Sequence, residues 1–294
     1  MNDAATTVFE AERPRLTALC YRMLGERSAA EDAVQETWLR WTASAPERVE
    51  APAAWLRRTA TRIAIDELRS ARHRREQYYG PWLPEPLLES DDRPLEAHLE
   101  LAQDCRLALL WAMERLSETE RAAFVLREAF DCSYAEIADV LDRSQDACRQ
   151  LVSRAHRRLQ DDRIRHDAES AEVLALLQAL SAAFLAEDLE AVKQLLTPDA
   201  VALTDGGVHA RASRRPLLGP DDIAVVFGNI LRKAAREEDA TLSVGRANGR
   251  PCLLRHRGEV LDTVFTLVPS GDGRAAWIYV MRNPEKLGPT AVST

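Results

Sequence analysis

The stretch 134–160, YAEIADVLDRSQDACRQLVSRAHRRLQ, reads as two short helices broken at Asp142-Arg143-Ser144, and each has one apolar side that must find packing. In the first helix Ala135, Ile137, Ala138 and Leu141 share that side. In the second, which Ser144 is placed to cap, Cys148, Leu151, Val152, Ala155 and Leu159 face inward. Arg149, Gln150, Ser153, Arg154 and Arg157 are left facing outward. An apolar back with arginine and amide side chains in front is what a helix-turn-helix needs to reach base edges and phosphates. A solvated helix hairpin is the plainer reading of the same pattern.

The chain around this stretch is acidic, with a formal net charge of -8 over 294 residues. That charge is segregated. Residues 55–75 hold seven arginines against Asp66 and Glu67, and residues 143–165 hold seven against Asp146, Asp161 and Asp162. Between them, residues 76–104 hold Arg93 alone against eight acids. Two basic islands thus flank an acidic bridge, and a footprint on DNA needs local rather than overall charge. Hydrophobic residues at 46% and charged ones at 29% exclude a disordered chain, and the length suits about two domains. No apolar run approaches the ~18 residues of a membrane span. The start, MNDAATTVFEAERPR, lacks the basic and apolar regions of a secretory signal, so a cytoplasmic protein is expected. Cys20, Cys105, Cys132, Cys148 and Cys252 form no CxxC and no ordered His/Cys pairs. They argue against disulfides or a metal site and read as small core hydrophobes.

Helical spacing runs through residues 1–75. Ser28 and Glu31 fit a capping box for a helix whose stripe is Ala30, Val34, Trp38 and Trp41, leaving Asp32, Gln35, Glu36 and Arg40 outside it. A third helix, from Trp55 to Arg75, lines Leu56, Ala60, Ile63, Ala64 and Leu68 on one face and Arg58, Arg62, Arg69 and Arg72 on the other. Trp55 sits where it could stack on an unpaired base, although a core tryptophan is the commoner outcome. The Pro- and acid-rich 76–104 reads as a linker. Ser117 with Glu120 and Ser133 with Glu136 form two more candidate capping boxes. Residues 170–196 predict one or two amphipathic helices ending at Thr197-Pro198. Short alternating runs broken by glycine turns then follow, around a helix in PDDIAVVFGNILRKAA, which predicts an α+β domain.

In that order, AEDAVQETWLRW, WLRRTATRIAIDELRSARHRR, LSETERAAFVLREAFDCSYAEIADVL and the helix from Ser144 resemble the bacterial extracytoplasmic-function sigma factors of RNA polymerase, over residues 8–162. WLPEP at 82–86, DGG at 205–207 and NGRP at 248–251 resemble the subgroup with a fused SnoaL-like domain, which extends the likeness to nearly the whole chain. The resemblance implies a multidomain fold: two all-α sigma domains, the second with the helix-turn-helix, and a C-terminal α+β, NTF2-like cone. Expected boundaries are 1–75 for region 2, 76–104 for the linker, 105–165 for region 4, 168–285 for the SnoaL-like domain and 286–294 for a tail. Region 2 would dock on core polymerase, through its beta and beta-prime subunits, with Asp32, Gln35, Glu36, Leu39 and Arg40. Trp55, Arg58, Thr61, Arg62, Arg69 and Arg72 would open and read the −10 element. Arg149, Gln150, Ser153, Arg154 and Arg157 would read the −35 element in the major groove.

The resemblance also implies regulation in cis, without a dedicated anti-sigma factor, without cofactor or metal, and with no membrane partner. Trp82, Leu83, Pro84, Glu85 and Pro86 of the linker would work with Asp205, Gly206, Gly207, Asn248, Gly249, Arg250 and Pro251. Val208 and His209 follow DGG where the subgroup has a further glycine and a lysine, and Cys252 stands where a glycine often follows NGRP. Some relatives of such domains are isomerases or cyclases, and Asp205, His209, His256 and Asp262 are available here. Asp205, however, sits at a turn, where an aspartate commonly caps its own backbone. The expectation is therefore a non-enzyme, with an unidentified small ligand left open for the domain's pocket. The rival reading is a one-component helix-turn-helix regulator with a ligand-binding C-terminal domain, which leaves the first basic island unexplained.

Overall fold

The computed structural model describes residues 3–76, 78, 80–89, 107–159, 168–234 and 239–287. Expectations for 90–104, Cys105, 160–165 and 288–294 lie outside these residues. The described parts of 1–77 and 90–160 form one compact unit, and those of 78–89 and 161–294 form another.

The first unit is all helical: α1 Asp3–Leu24, α2 Arg27–Ala43, α3 Pro52–Glu76, α4 Leu107–Ala112, α5 Glu118–Glu128, α6 Tyr134–Leu141 and α7 Gln145–Arg158. Helices α1 to α3 pack around Leu19, Met23, Ala30, Val34, Trp41, Leu56 and Ala60, all buried. The indole N–H of Trp41 donates to the Ala5 carbonyl at 3.0 Å, which satisfies the one polar atom of a fully buried ring. The capping boxes at Ser117/Glu120 and Ser133/Glu136 form as the spacing predicts, and Ser144 accepts from the Ala147 amide at 3.2 Å. The box at Ser28/Glu31 does not form. Gly25, with φ +73, ends α1, the Glu26 backbone turns extended, and α2 starts at Arg27, so Ser28 already lies inside the helix. Glu31 instead pairs with Arg27 at 2.8 Å.

The second unit carries α8 Ser170–Leu185, α9 Leu189–Gln194, β1 Leu196–Asp205, β2 Leu217–Leu218, α10 Gly219–Ala234, β3 Ala240–Ala247, β4 Arg250–Arg257, β5 Val260–Pro269, β6 Ala275–Met281 and the single turn α11 Pro284–Leu287. The sheet order is β2-β1-β6-β5-β4-β3, with β1 parallel to β6 and every other pairing antiparallel. Helices α8 and α10 cover one face with Leu177, Leu180, Ile223 and Phe227 against Ala202, Leu267, Ile278 and Val280. This is an α+β arrangement. The helices end earlier than expected, at Gln194, and Thr197-Pro198 lies in the first residues of β1. A proline is tolerated there because the ladder to β6 shifts register between Leu196 and Val201. Cys20, Cys132, Cys148 and Cys252 are buried free thiols, and burial pushes those of Cys20 and Cys252 up to about 12.

Candidate functional site

In α7 the inward set Cys148, Leu151, Val152, Ala155 and Leu159 is buried, while Arg149, Gln150, Ser153, Arg154 and Arg157 are exposed along the opposite face. Asp142, left-handed at φ +54, ends α6 and lets the chain turn directly into α7. Two of the exposed arginines are held from behind. Arg149 pairs with Asp146 at 2.5 Å and lies over the Tyr134 ring, and Arg154 donates to Glu120 at 3.1 Å. Burial alone would raise the Glu120 carboxyl, but donors from Ser117 and the charges of Arg154 and Arg158 outweigh it and hold it below the ordinary carboxylate range.

Asp32, Gln35, Leu39 and Arg40 are exposed on α2, with Leu39 at 54%, and Glu36 pairs with Arg40 at 2.8 Å.

The face of α3 is less open than the spacing suggests. Thr61 is fully buried, its hydroxyl donating to the Arg57 carbonyl at 2.8 Å, because it falls between Ala60 and Ala64 on the packed side. Trp55 is half-buried and leans on Trp41, with ring centres 5.3 Å apart. Of the cations, Arg58 bonds Asp139 at 3.0 Å, Arg62 donates to the Val140 carbonyl at 3.1 Å and Arg72 pairs with Glu118 at 2.8 Å. Arg57 adds a bond to Glu136 at 2.8 Å. Only Arg69 of the expected set pairs within its own helix, with Asp66 at 3.1 Å. The cationic edge of α3 is thus occupied by acids and carbonyls from α5 and α6.

The second site lies in the C-terminal unit, at the end of β1. The Asp205 carboxylate is fully buried. One oxygen accepts from the Tyr78 hydroxyl at 2.5 Å and from the Gly207 amide at 3.0 Å. The other accepts from the Leu83 amide at 2.9 Å and the Lys286 ammonium at 2.8 Å. Lys286 also donates to the Leu83 carbonyl at 2.6 Å and sits 4.2 Å from the Trp82 ring centre. Asn283 donates to Tyr78 at 2.9 Å. Burial first, and then the bond to Asp205, push the Tyr78 phenol above its ordinary value, so it remains a donor. Gly206 and Gly207 are required: a Cβ would meet the Ala210 carbonyl oxygen at 2.3 Å in one case and the Asn283 amide at 2.8 Å, at φ +58, in the other.

Asn248 and Gly249, both with positive φ, make the tight turn between β3 and β4. The Asn248 side chain accepts from the Leu87 amide at 3.0 Å, and its own amide donates to the Leu87 carbonyl at 2.8 Å. The Glu89 amide reaches the Arg246 carbonyl at 3.2 Å, so residues 87–89 begin to pair with the free edge of β3. Arg250 donates to the Ala168 carbonyl, Pro251 is buried, and Leu83, Pro84 and Pro86 are buried while Trp82 and Glu85 are half-buried. Both the DGG turn and the NGRP turn therefore grip the segment containing WLPEP. Tyr78, Asn283 and Lys286 were not anticipated, and Lys286 fell in the expected tail. A lone lysine near a terminus has no spacing signal, and its partner is more than 80 residues away in sequence.

The four residues considered for catalysis are separately employed. Asp205 binds the linker, His209 faces Glu285 at 3.3 Å, Asp262 is held by Arg255, and His256 lies in the β4 ladder opposite Leu261. Among the described residues no cluster has metal-site composition, and no helix is long and apolar enough to cross a membrane.

Residues 8–74 match the family model of Sigma-70 region 2 and residues 106–159 that of Sigma-70, region 4. The sigma factor SigJ of Mycobacterium tuberculosis is 42% identical over 95% of this chain and 91% of its own length. SigI from the same organism is 30% identical over 98% and 96%. The crystal structure of SigJ superposes with a TM-score of 0.74, covering 97% of this chain and 99% of that one, at 30% identity over the structural alignment. A structure of RpoE with the anti-sigma factor NepR from Bartonella quintana aligns over 53% of this chain and 94% of its own, with a TM-score of 0.40, too slight a likeness to carry a partner across. The chain belongs to the extracytoplasmic-function RNA polymerase sigma factors, proteins that direct core polymerase to promoter DNA. Like SigJ, whose structure it follows over 97% of its length, it carries a C-terminal α+β domain after the two sigma regions.

Proposed function

We propose that this sigma factor is restrained in cis, its C-terminal domain gripping the first part of the linker and so limiting how far regions 2 and 4 can separate. The observation that carries the reading is the Asp205 carboxylate, which takes bonds from Tyr78, Leu83 and Lys286 at once. Between α3 and α4 the chain has residues 77–106. At ~3.3–3.6 Å per residue these reach roughly 100 Å when extended, and the part beyond Glu89 only about 60 Å. Promoter elements about 25 base pairs apart lie about 85 Å apart at 3.4 Å per base pair. Freeing 78–89 therefore lengthens the stretch that can extend freely between the two regions.

In this reading α7 reads the −35 element with Arg149, Gln150, Ser153, Arg154 and Arg157. The α3 edge meets the −10 element once Arg58, Arg62 and Arg72 leave α5 and α6. The exposed α2 face, with Asp32, Gln35, Glu36, Leu39 and Arg40, docks on core polymerase. The protein acts in the cytoplasm, catalyses no reaction of its own and needs no dedicated anti-sigma factor. The full-length chain carrying Asp205→Asn, assayed for promoter-dependent transcription with core polymerase, is expected to be several-fold more active than the unmodified chain. Unchanged activity, with the linker shown to be released, would rule out restraint in cis.

A further inference from the structure

Arg149, on the outward face of α7, is held from two sides. Its Nη1 bonds Asp146 at 2.5 Å, its one hydrogen bond among the described residues, and its guanidinium carbon lies 5.2 Å from the centre of the Tyr134 ring. The Asp146 side chain is 86% exposed and the pair joins neighbouring turns of one helix, so water and salt screen it. Arg154, by contrast, leans on a carboxylate that is almost wholly buried. The ring is the better-anchored of the two supports of Arg149. Tyr134 is the first residue of α6 and directly follows Ser133, whose capping box with Glu136 fixes the start of that helix. The ring is half-buried and has a second cation over it. This is Arg127, from the last turn of α5, which lies 5.2 Å from the ring centre and donates to the Cys132 carbonyl at 3.0 Å. The ring is thus set by the backbone that joins α5 to α6 and reaches from there to α7.

We propose that Tyr134 is a positioning residue for sequence recognition: its ring holds the Arg149 guanidinium ready on α7, and discrimination at the base pair that Arg149 meets depends on it. This rests on the reading of α7 given above. An aromatic face attracts a guanidinium without supplying an acceptor oxygen, so the N–H donors that Asp146 does not take remain for a base edge. Guanine suits them best, because its O6 and N7 together accept paired donors from one arginine. Ordering a rotamer-rich side chain on binding costs about two- to tenfold in affinity, and a side chain held in advance avoids that loss. A paired contact also tolerates less displacement than a phosphate contact, so the benefit falls on the matched base pair.

Holoenzyme assembled from core polymerase and the full-length chain, titrated onto a promoter it transcribes and onto copies with each upstream base pair changed in turn, tests this. Arg149→Ala should lose discrimination at one base pair, which identifies that pair. Tyr134→Leu, which keeps apolar bulk without the ring, should lower the matched-to-mismatched affinity ratio there by about two- to tenfold and leave the ratios elsewhere as in the parent. Tyr134→Phe, which retains the ring, should restore the ratio, and Tyr134→Leu added to Arg149→Ala should cost nothing further. Should Tyr134→Leu not fold, pentafluorophenylalanine at position 134 carries the test, since it keeps the ring's shape and reverses the charge of its face. A parental ratio in Tyr134→Leu, with Arg149→Ala defective, would overturn this inference and leave the reading of α7 standing. Equal losses in Tyr134→Phe and Tyr134→Leu would overturn it in favour of the hydroxyl. Parental discrimination in Arg149→Ala would overturn the reading of α7 together with it.

Discussion

Asp205 sits at the end of β1 with both carboxylate oxygens in use, and Lys286 is the one formal cation bonded to it among the described contacts. Removing one partner of a buried, hydrogen-bonded ion pair strands the other, at a typical cost of about 3–5 kcal/mol. Lys286→Met is therefore expected to destabilise the C-terminal unit by roughly that amount, read from the midpoint of its denaturant unfolding. A loss below ~1 kcal/mol would mean the pair is solvated and the grip weak. In the helix-turn-helix, Arg154 is held by Glu120 with its side chain still 44% exposed. Arg154→Ala should weaken binding to the −35 element by about 1–3 kcal/mol if it contacts a base, measured by mobility shift on matched and mismatched sites. A wild-type affinity on every site would misplace the recognition face. The outward set on α7 was legible residue by residue because one helix period sorts it. Thr61 was not, since a mid-helix threonine between the apolar and polar faces is equally at home buried with its hydroxyl on the preceding turn.

The same contrast recurs among elements. Helices with a box of serine and glutamate three residues apart were found where expected, except at Ser28, where a glycine just upstream starts the helix early. Those boxes make a pH prediction. The Ser133 backbone and side-chain donors, with Arg57 adding, hold the Glu136 carboxyl below the ordinary range, and Glu120 is also held below it. A carboxyl whose folded value is depressed stabilises the fold above its unfolded value, near pH ~4.3, and that contribution is lost as pH falls through the folded value. The thermal midpoint of the helical unit should thus drop between pH 5 and lower values, and Glu120→Gln should flatten that drop; an unaltered pH profile would assign the acid sensitivity to other groups. The segment 80–89 shows how an element escapes sequence reading. Its prolines and acids carry no periodicity, yet it is held by turns that are distant in sequence. Replacing Trp82 and Leu83 by alanine should accelerate limited proteolysis within 78–89 in the full-length chain, and an unchanged digestion pattern would show that these two side chains do not hold the segment.

At the scale of the whole molecule, acidic net charge and two basic islands coexist because the net positive charge is local to the α3 and α7 segments, while the linker is strongly acidic and the remaining stretches each carry a small negative excess. The ion pairs that join α3 to α5 and α6 are largely exposed, worth about 0.2–1 kcal/mol each and screened by salt. The linker's grip on the C-terminal domain is, by contrast, buried. In the reading proposed above, the C-terminal domain is the element that sets output. Promoter-dependent transcription with core polymerase, comparing the full-length chain with one ending at Arg165, tests this most directly. The account predicts several-fold higher activity from the shortened chain at equal concentration. Equal or lower activity from a shortened chain that still binds core polymerase would contradict it.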